Sequence, residues 1–125
     1  MAAPADRKYL SSHEWHQIQG DIVTIGITKF AIDELSDVTF VDISAEEGAI
    51  DKAETFGEVE SVKATSEVYT GVAGQVIEVN QQVIDDPAIL NQDAWDKGWL
   101  IKIKVENTND FDQLLTAEQY NAENA

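Results

Sequence analysis

Short alternating runs of apolar and polar residues, punctuated by turn formers, run through most of this chain. Ile22–Ile27 alternates with the period of two expected of a half-buried strand, and Gly20-Asp21 turns the chain into it from a preceding strand over Glu14–Gln19. Thr28 suits a helix N-cap, so Lys29–Leu35 is predicted as one short helix with Phe30, Ile32 and Leu35 facing inward. Val38–Ile43 returns as a strand, followed by an acidic loop through Gly48. Further strands are predicted over Phe56–Val62, Ser66–Thr70, Gln75–Val79 (after breaks at Gly71 and Gly74) and Leu100–Val105. Asp85-Asp86-Pro87 reads as a turn into a single helical turn near Ala88–Leu90. Thr116-Ala117-Glu118-Gln119 has capping-box form and predicts a terminal helix over Thr116–Asn121, with Asn109–Leu115 as a candidate helix before it. Many short strands with few helices indicate a mainly β domain, a sandwich or flattened barrel, with a short helix near 28–35 and a C-terminal helix.

One connection breaks the local rule. Favoured tight hairpin turns need positive φ and therefore Gly, Asn or Asp. Between Phe56–Val62 and Ser66–Thr70 the chain instead reads Val62-Lys63-Ala64-Thr65, with a long amine at the tip. A rule broken between two consistent segments points to function. A lysine at a hairpin apex is accessible to an enzyme that attaches a group to it, although exposure alone is the common fate of lysine.

Charge and composition narrow the classes. A chain of 125 residues is one domain, 1–125, with its core over about 9–120. The net charge of −16 excludes nucleic acid as a partner, because phosphate binding is driven by basic residues. The acidity is compatible with a solvated surface, with steering toward basic partner surfaces, or with a saline habitat. There are no cysteines, which excludes a disulfide framework, a thiolate metal site and a cysteine nucleophile. No segment approaches the ~20 apolar residues that cross a membrane. Met1–Lys8 holds no apolar stretch, so no secretory signal is expected. The expected compartment is the cytoplasm in a bacterium, or the mitochondrial matrix for a processed eukaryotic form. His13 and His16 lack a third ligand, and alternation along a strand sends them to opposite faces, so surface histidines and no metal site are expected. Trp15, Trp95 and Trp99 read as core or rim packing, with a docking role open to Trp99, and no nucleophile–base constellation marks an enzyme.

Glu60–Tyr69, ESVKATSEVY, resembles the lipoyl-attachment signature of the glycine cleavage system H proteins. SHEW (Ser12–Trp15), GDIVTIGIT (Gly20–Thr28), GQVIEVN (Gly74–Asn80) and GWLIKIK (Gly98–Lys104) are similar to that family in order and spacing, from about Tyr9 to Tyr120. Biotin carriers place methionines beside the lysine, whereas Met1 is the sole methionine here. Lipoyl domains of the 2-oxo acid dehydrogenases usually put Asp before the lysine, where this chain has Val62.

The resemblance implies a lipoyl/biotinyl-type β-sandwich (barrel-sandwich hybrid) of two small sheets packed face to face, with the lysine hairpin at one end. It implies lipoic acid in amide linkage on Lys63 and a non-catalytic, monomeric carrier. That carrier shuttles the aminomethyl group of glycine from a pyridoxal-phosphate glycine decarboxylase to a folate-dependent aminomethyltransferase. A dihydrolipoamide dehydrogenase then reoxidises it, and a lipoate ligase or lipoyl transferase loads Lys63. The residues matching the family's arm-docking positions are Ser12, Glu14, Leu35 and Glu67. Glu14 and Glu67 would pair with the amine of the loaded arm. The chain departs from the family pattern at Glu34 (often His or Gln), Ser36 (Gly), Gly71 (a common Pro) and Ala94-Trp95-Asp96 (a Pro-Tyr-Gly-like turn). A lipoyl-relay protein donating lipoate to other complexes and an unmodified interaction domain are the alternative readings.

Overall fold

The computed structural model describes residues 3–45 and 47–124. In chain order the elements are β1 (Lys8–Tyr9), β2 (Glu14–Gln19), β3 (Ile22–Ile27), α1 (Lys29–Leu35), β4 (Val38–Asp42), β5 (Gly48–Ile50), β6 (Thr55–Ser61) and β7 (Thr65–Tyr69). There follow β8 (Gly74–Val79), α2 (Gln81–Asp85), α3 (Ile89–Gln92), β9 (Trp99–Lys104), α4 (Asn109–Asp112) and α5 (Ala117–Glu123). The expected strands are found with ends displaced by a residue at most. Three short elements were not expected. The strands β1 and β5 have two and three residues and form on the edges of a sheet, where partners impose them. Helix α2 buries only Val83, too little for a readable period; its N-cap Asn80 accepts the Gln82 N–H at 3.2 Å.

Two antiparallel sheets form the domain. One runs β1-β2-β3-β9-β8-β5 and the other β4-β6-β7. Their inner faces share one core, to which Val23, Ile25 and Ile27 of β3, Ile101 and Ile103 of β9, and Val41, Val59 and Val68 of the smaller sheet all contribute. Each such side chain contributes roughly 1.5–3 kcal/mol on burial. A register shift between Thr55 and Gly57 lets Phe56 and Val59 face the same core although they stand three apart. Gly20 has φ 62 at the predicted reversal between β2 and β3.

Two sequence expectations need correction here. Phe30 does not face inward but is 38% exposed, because it stands about 200° round the helix from Ile32, the inward position shared with Leu35. Nor is His16 a surface residue, and His13 is half-buried. Glu14, Trp15 and His16 are three consecutive residues exposed by 1% or less, so the start of β2 is covered on both faces. On one side Trp15 joins Tyr9, Ala117 and Tyr120 in a satellite cluster, with the Tyr9 and Tyr120 rings stacked at 4.7 Å. The other side lies against the chain leaving β7.

Candidate functional site

The β6–β7 turn takes its shape from Ser61, whose turn-forming role the sequence did not reveal. The Ser61 Oγ accepts the backbone N–H groups of Lys63 (3.1 Å) and Ala64 (3.2 Å), and the Ser61 N–H donates to the Ala64 carbonyl at 2.8 Å. A serine hydroxyl thus supplies what glycine or asparagine supplies in other hairpins, and neither Val62 nor Lys63 has positive φ. Val62, expected to end a strand, lies beyond β6 in the turn and is 76% exposed. Beside it Lys63 is exposed, and its Nζ donates to the Glu34 carbonyl at 3.4 Å. The lysine therefore leans toward the C-terminal end of α1.

That end of α1 is one wall of a cleft of about 160 Å³. Ala31, Glu34 and Leu35 face it from the helix, Ser12 and His13 from the loop entering β2, Glu14 from the first position of β2, and Ser66 and Val68 from β7. Ile27 completes a mostly aliphatic lining. The helix is placed by its N-cap Thr28, fully buried, whose Oγ1 accepts the Ala31 N–H at 3.3 Å and contacts the Tyr120 hydroxyl at 2.8 Å. The same tyrosine hydroxyl lies 2.6 Å from His13 Nδ1. His13 holds φ 80 in the left-handed region, and its ring stacks on Phe30 at 5.0 Å. Helix α5 thus braces the loop and α1 through one side chain. Burial lowers the His13 pKa, and the charges of Glu34 and Glu123 oppose that shift.

Glu14 forms the floor. Its two oxygens accept the Ser12 hydroxyl at 2.5 Å and the Tyr69 N–H at 2.9 Å. Two residues on, His16 Nε2 accepts the Gly71 N–H at 3.0 Å. Side chains i and i+2 of β2 therefore serve N–H groups i and i+2 at the end of β7, which joins the two sheets and satisfies buried donors. Burial pushes the Glu14 carboxyl up to about 7, against the lowering effect of the Ser12 and Tyr69 bonds. Burial likewise pushes His16 down to about 3. Because Nε2 accepts, the proton of the neutral ring sits on Nδ1, which has no hydrogen-bond partner.

Of the expected docking residues, Ser12, Glu14 and Leu35 line the cleft together. Glu67 does not join them. Strand alternation turns Ser66 and Val68 toward the cleft and Glu67 outward, where it accepts the Tyr69 hydroxyl at 2.9 Å. Of the departures, Glu34 lies in the cleft wall, Ser36 adopts φ 68 at the end of α1, and Gly71 donates to His16 through an N–H that proline lacks. The sequence reading missed His13 and Ser66 as lining groups; position in a loop beside a buried carboxylate is a tertiary property. Among the described residues no group of acidic and histidine side chains could hold a metal ion, and no helix is long and apolar enough to cross a membrane.

The family model described as Glycine cleavage H-protein matches residues 7–125. The glycine cleavage system H protein of Staphylococcus carnosus is 44% identical over 120 residues, covering 96% of this chain and 95% of its own length. That of a Cyanothece species is also 44% identical over 120 residues, covering 96% and 93%. The crystal structure of a glycine cleavage system H protein from Mycobacterium marinum superposes with a TM-score of 0.88 at 36% identity, covering 98% of each chain.

Proposed function

Because the chain belongs to the glycine cleavage H-protein family, we propose that it is the lipoyl carrier of that system, with lipoate in amide linkage on Lys63. The observation that carries the reading is an exposed lysine at a braced hairpin apex, leaning over a largely aliphatic cleft with a buried carboxyl at its floor. The residues fit the group. The Lys63 amine has a single long contact to a carbonyl, so acylation breaks little. Ile27, Ala31, Leu35 and Val68 offer apolar surface suited to an aliphatic chain, and Ser12 and Glu14 offer polar partners at the far end. Lipoate supplies the disulfide chemistry that a chain without cysteine lacks, accepting and giving up the aminomethyl group of glycine.

The protein's own contribution is presentation and shelter. The Ser61 turn fixes the base of the arm while leaving Lys63 in solvent. Glu14, largely desolvated, accepts an ammonium in the cleft by a charge-assisted bond worth about 1.5–3 kcal/mol. An approaching cation favours the ionised carboxylate, so loading and deprotonation of Glu14 reinforce each other. Partners of this carrier are the decarboxylase, the aminomethyltransferase, the dihydrolipoamide dehydrogenase and the loading ligase or transferase. Ser12, Glu14 and Leu35 form the docking group.

The test is the mass of the protein recovered from cells that attach lipoate, compared with Lys63→Arg. The variant is expected to fold normally and to lack the lipoyl increment, since Lys63 is exposed and makes one weak bond. Recovery of lipoylated Lys63→Arg would move the attachment to one of the other six lysines and sink the assignment.

A further inference from the structure

We propose that Glu34 is the second carboxylate that holds a cationic arm in this cleft, in the place the family resemblance gives to Glu67. The inference rests on the carrier reading above. The side chain of Glu67 is turned to the outer face of β7 and engaged by the Tyr69 hydroxyl. Glu34 lines the cleft from α1, and its backbone carbonyl is the group that the Lys63 amine touches. Glu14 lines the same cleft and, 1% exposed, forms its floor. His13 lines the cleft with them, positioned by Phe30 and Tyr120 and close enough to Glu34 to feel its charge. Its Nδ1 is engaged by the tyrosine hydroxyl, and burial lowers its pKa, which disfavours a positive charge on His13 that would offset the two carboxylates.

An ammonium on the arm is then bracketed by a buried carboxyl at the floor and an exposed one at the mouth. An uncharged dithiolane or dithiol gains nothing from either group. The cleft therefore sorts arm states by charge: it retains the cationic cargo and releases the arm once the nitrogen has gone. Retention shelters the cargo from hydrolysis, in which water converts the S–CH2–NH3+ group to free thiol, formaldehyde and ammonium.

The experiment uses the protein lipoylated on Lys63 and charged with a methylene group enriched in carbon-13. Two readouts apply: the linewidth and shift of that carbon, which separate docked from free arm, and the rate of formaldehyde release without the folate enzyme. Glu34→Gln is expected to raise the free fraction about two- to fivefold, the range of an exposed charge pair, and Glu34→Asp to restore most of the docking. The difference should shrink in high salt, which a merely structural role of Glu34 would not show. Glu67→Gln should match the wild type. Loosening by Glu67→Gln with none by Glu34→Gln would overturn the assignment while leaving the carrier reading intact. Failure of Glu14→Gln to loosen the arm would instead remove the cleft from the carrier reading, and this inference with it.

Discussion

Replacing Glu14 by glutamine tests what it costs to keep a carboxylate at the floor of the cleft. Glu14 is 1% exposed, and burial raises its carboxyl from 4.5 to about 7. A group raised in the folded state contributes stability that is complete below its unfolded value and is lost as pH climbs through the folded one. Here that window runs from 4.5 to about 7. At ~1.36 kcal/mol per decade the loss is about 3 kcal/mol. His16 runs the other way: burial lowers it from 6.5 to about 3, so its contribution is present above 6.5 and is lost as pH falls toward 3. From 4.5 to 6.5 the folded chain binds about one more proton at Glu14 and one fewer at His16 than the unfolded chain. Over that range the two slopes cancel, and their joint contribution to wild-type stability is level.

Glutamine can keep both bonds of Glu14, its oxygen accepting the Tyr69 N–H and its amide donating to the Ser12 hydroxyl, but it has no proton to lose. Glu14→Gln should therefore weaken on acidification below 6.5, where the wild type holds level. Between pH 4.5 and about pH 8 the stability difference should move by about 3 kcal/mol in favour of the variant. For a domain of this size that is a relative shift of about 10 °C in Tm. Urea and thermal unfolding of the unlipoylated protein, followed by far-UV circular dichroism at closely spaced pH values, measures it directly. Parallel curves for the two proteins would refute the argument, because they would mean that water reaches Glu14 and that it titrates like a surface carboxylate.

Other expectations follow from single positions. Ser36 holds φ 68, ψ −137 with no side-chain hydrogen bond, so Ser36→Gly should stabilise the fold by about 1 kcal/mol, seen as a higher urea midpoint with unchanged slope. Gly71→Pro should cost about 3 kcal/mol or more: it deletes the donor to His16, and a Cβ there would stand 2.5 Å from Leu114 Cδ2. Unchanged unfolding curves would show that the His16–Gly71 bond contributes nothing. On the carrier reading proposed above, if the net charge of −16 steers the protein to basic partner surfaces, its apparent KM as a substrate of the decarboxylase should rise with ionic strength as the Debye length shortens to ~8 Å near 0.15 M salt. A flat profile would make the charge a matter of solubility alone.

Local patterning was enough for the longer strands, though not for the edge strands β1 and β5. Period two over Ile22–Ile27 and the capping box at Thr116 and Gln119 are properties of adjacent residues, and both elements are present with those caps and faces. The family motif was equally legible, since ESVKATSEVY is contiguous and the other family segments stand in order around it. The sequence alone also excluded thiol chemistry through its lack of cysteine.

The cleft was not legible, because it is made of three segments brought together by packing. Alternation predicts which residues share a face but not which faces are covered. At the start of β2 both are, so Glu14 and His16 became buried acceptors for Tyr69 and Gly71, although His16 was expected at the surface. The same alternation on β7, once its inner face was set by Val68, sent Glu67 outward. The turn at Lys63 depends on a serine hydroxyl reaching forward two and three residues, a bond that no turn-residue rule for glycine or asparagine anticipates. The family motif lies in a contiguous stretch of chain and can be read from it; the electrostatics of the cleft lie between segments, and only the folded arrangement decides them.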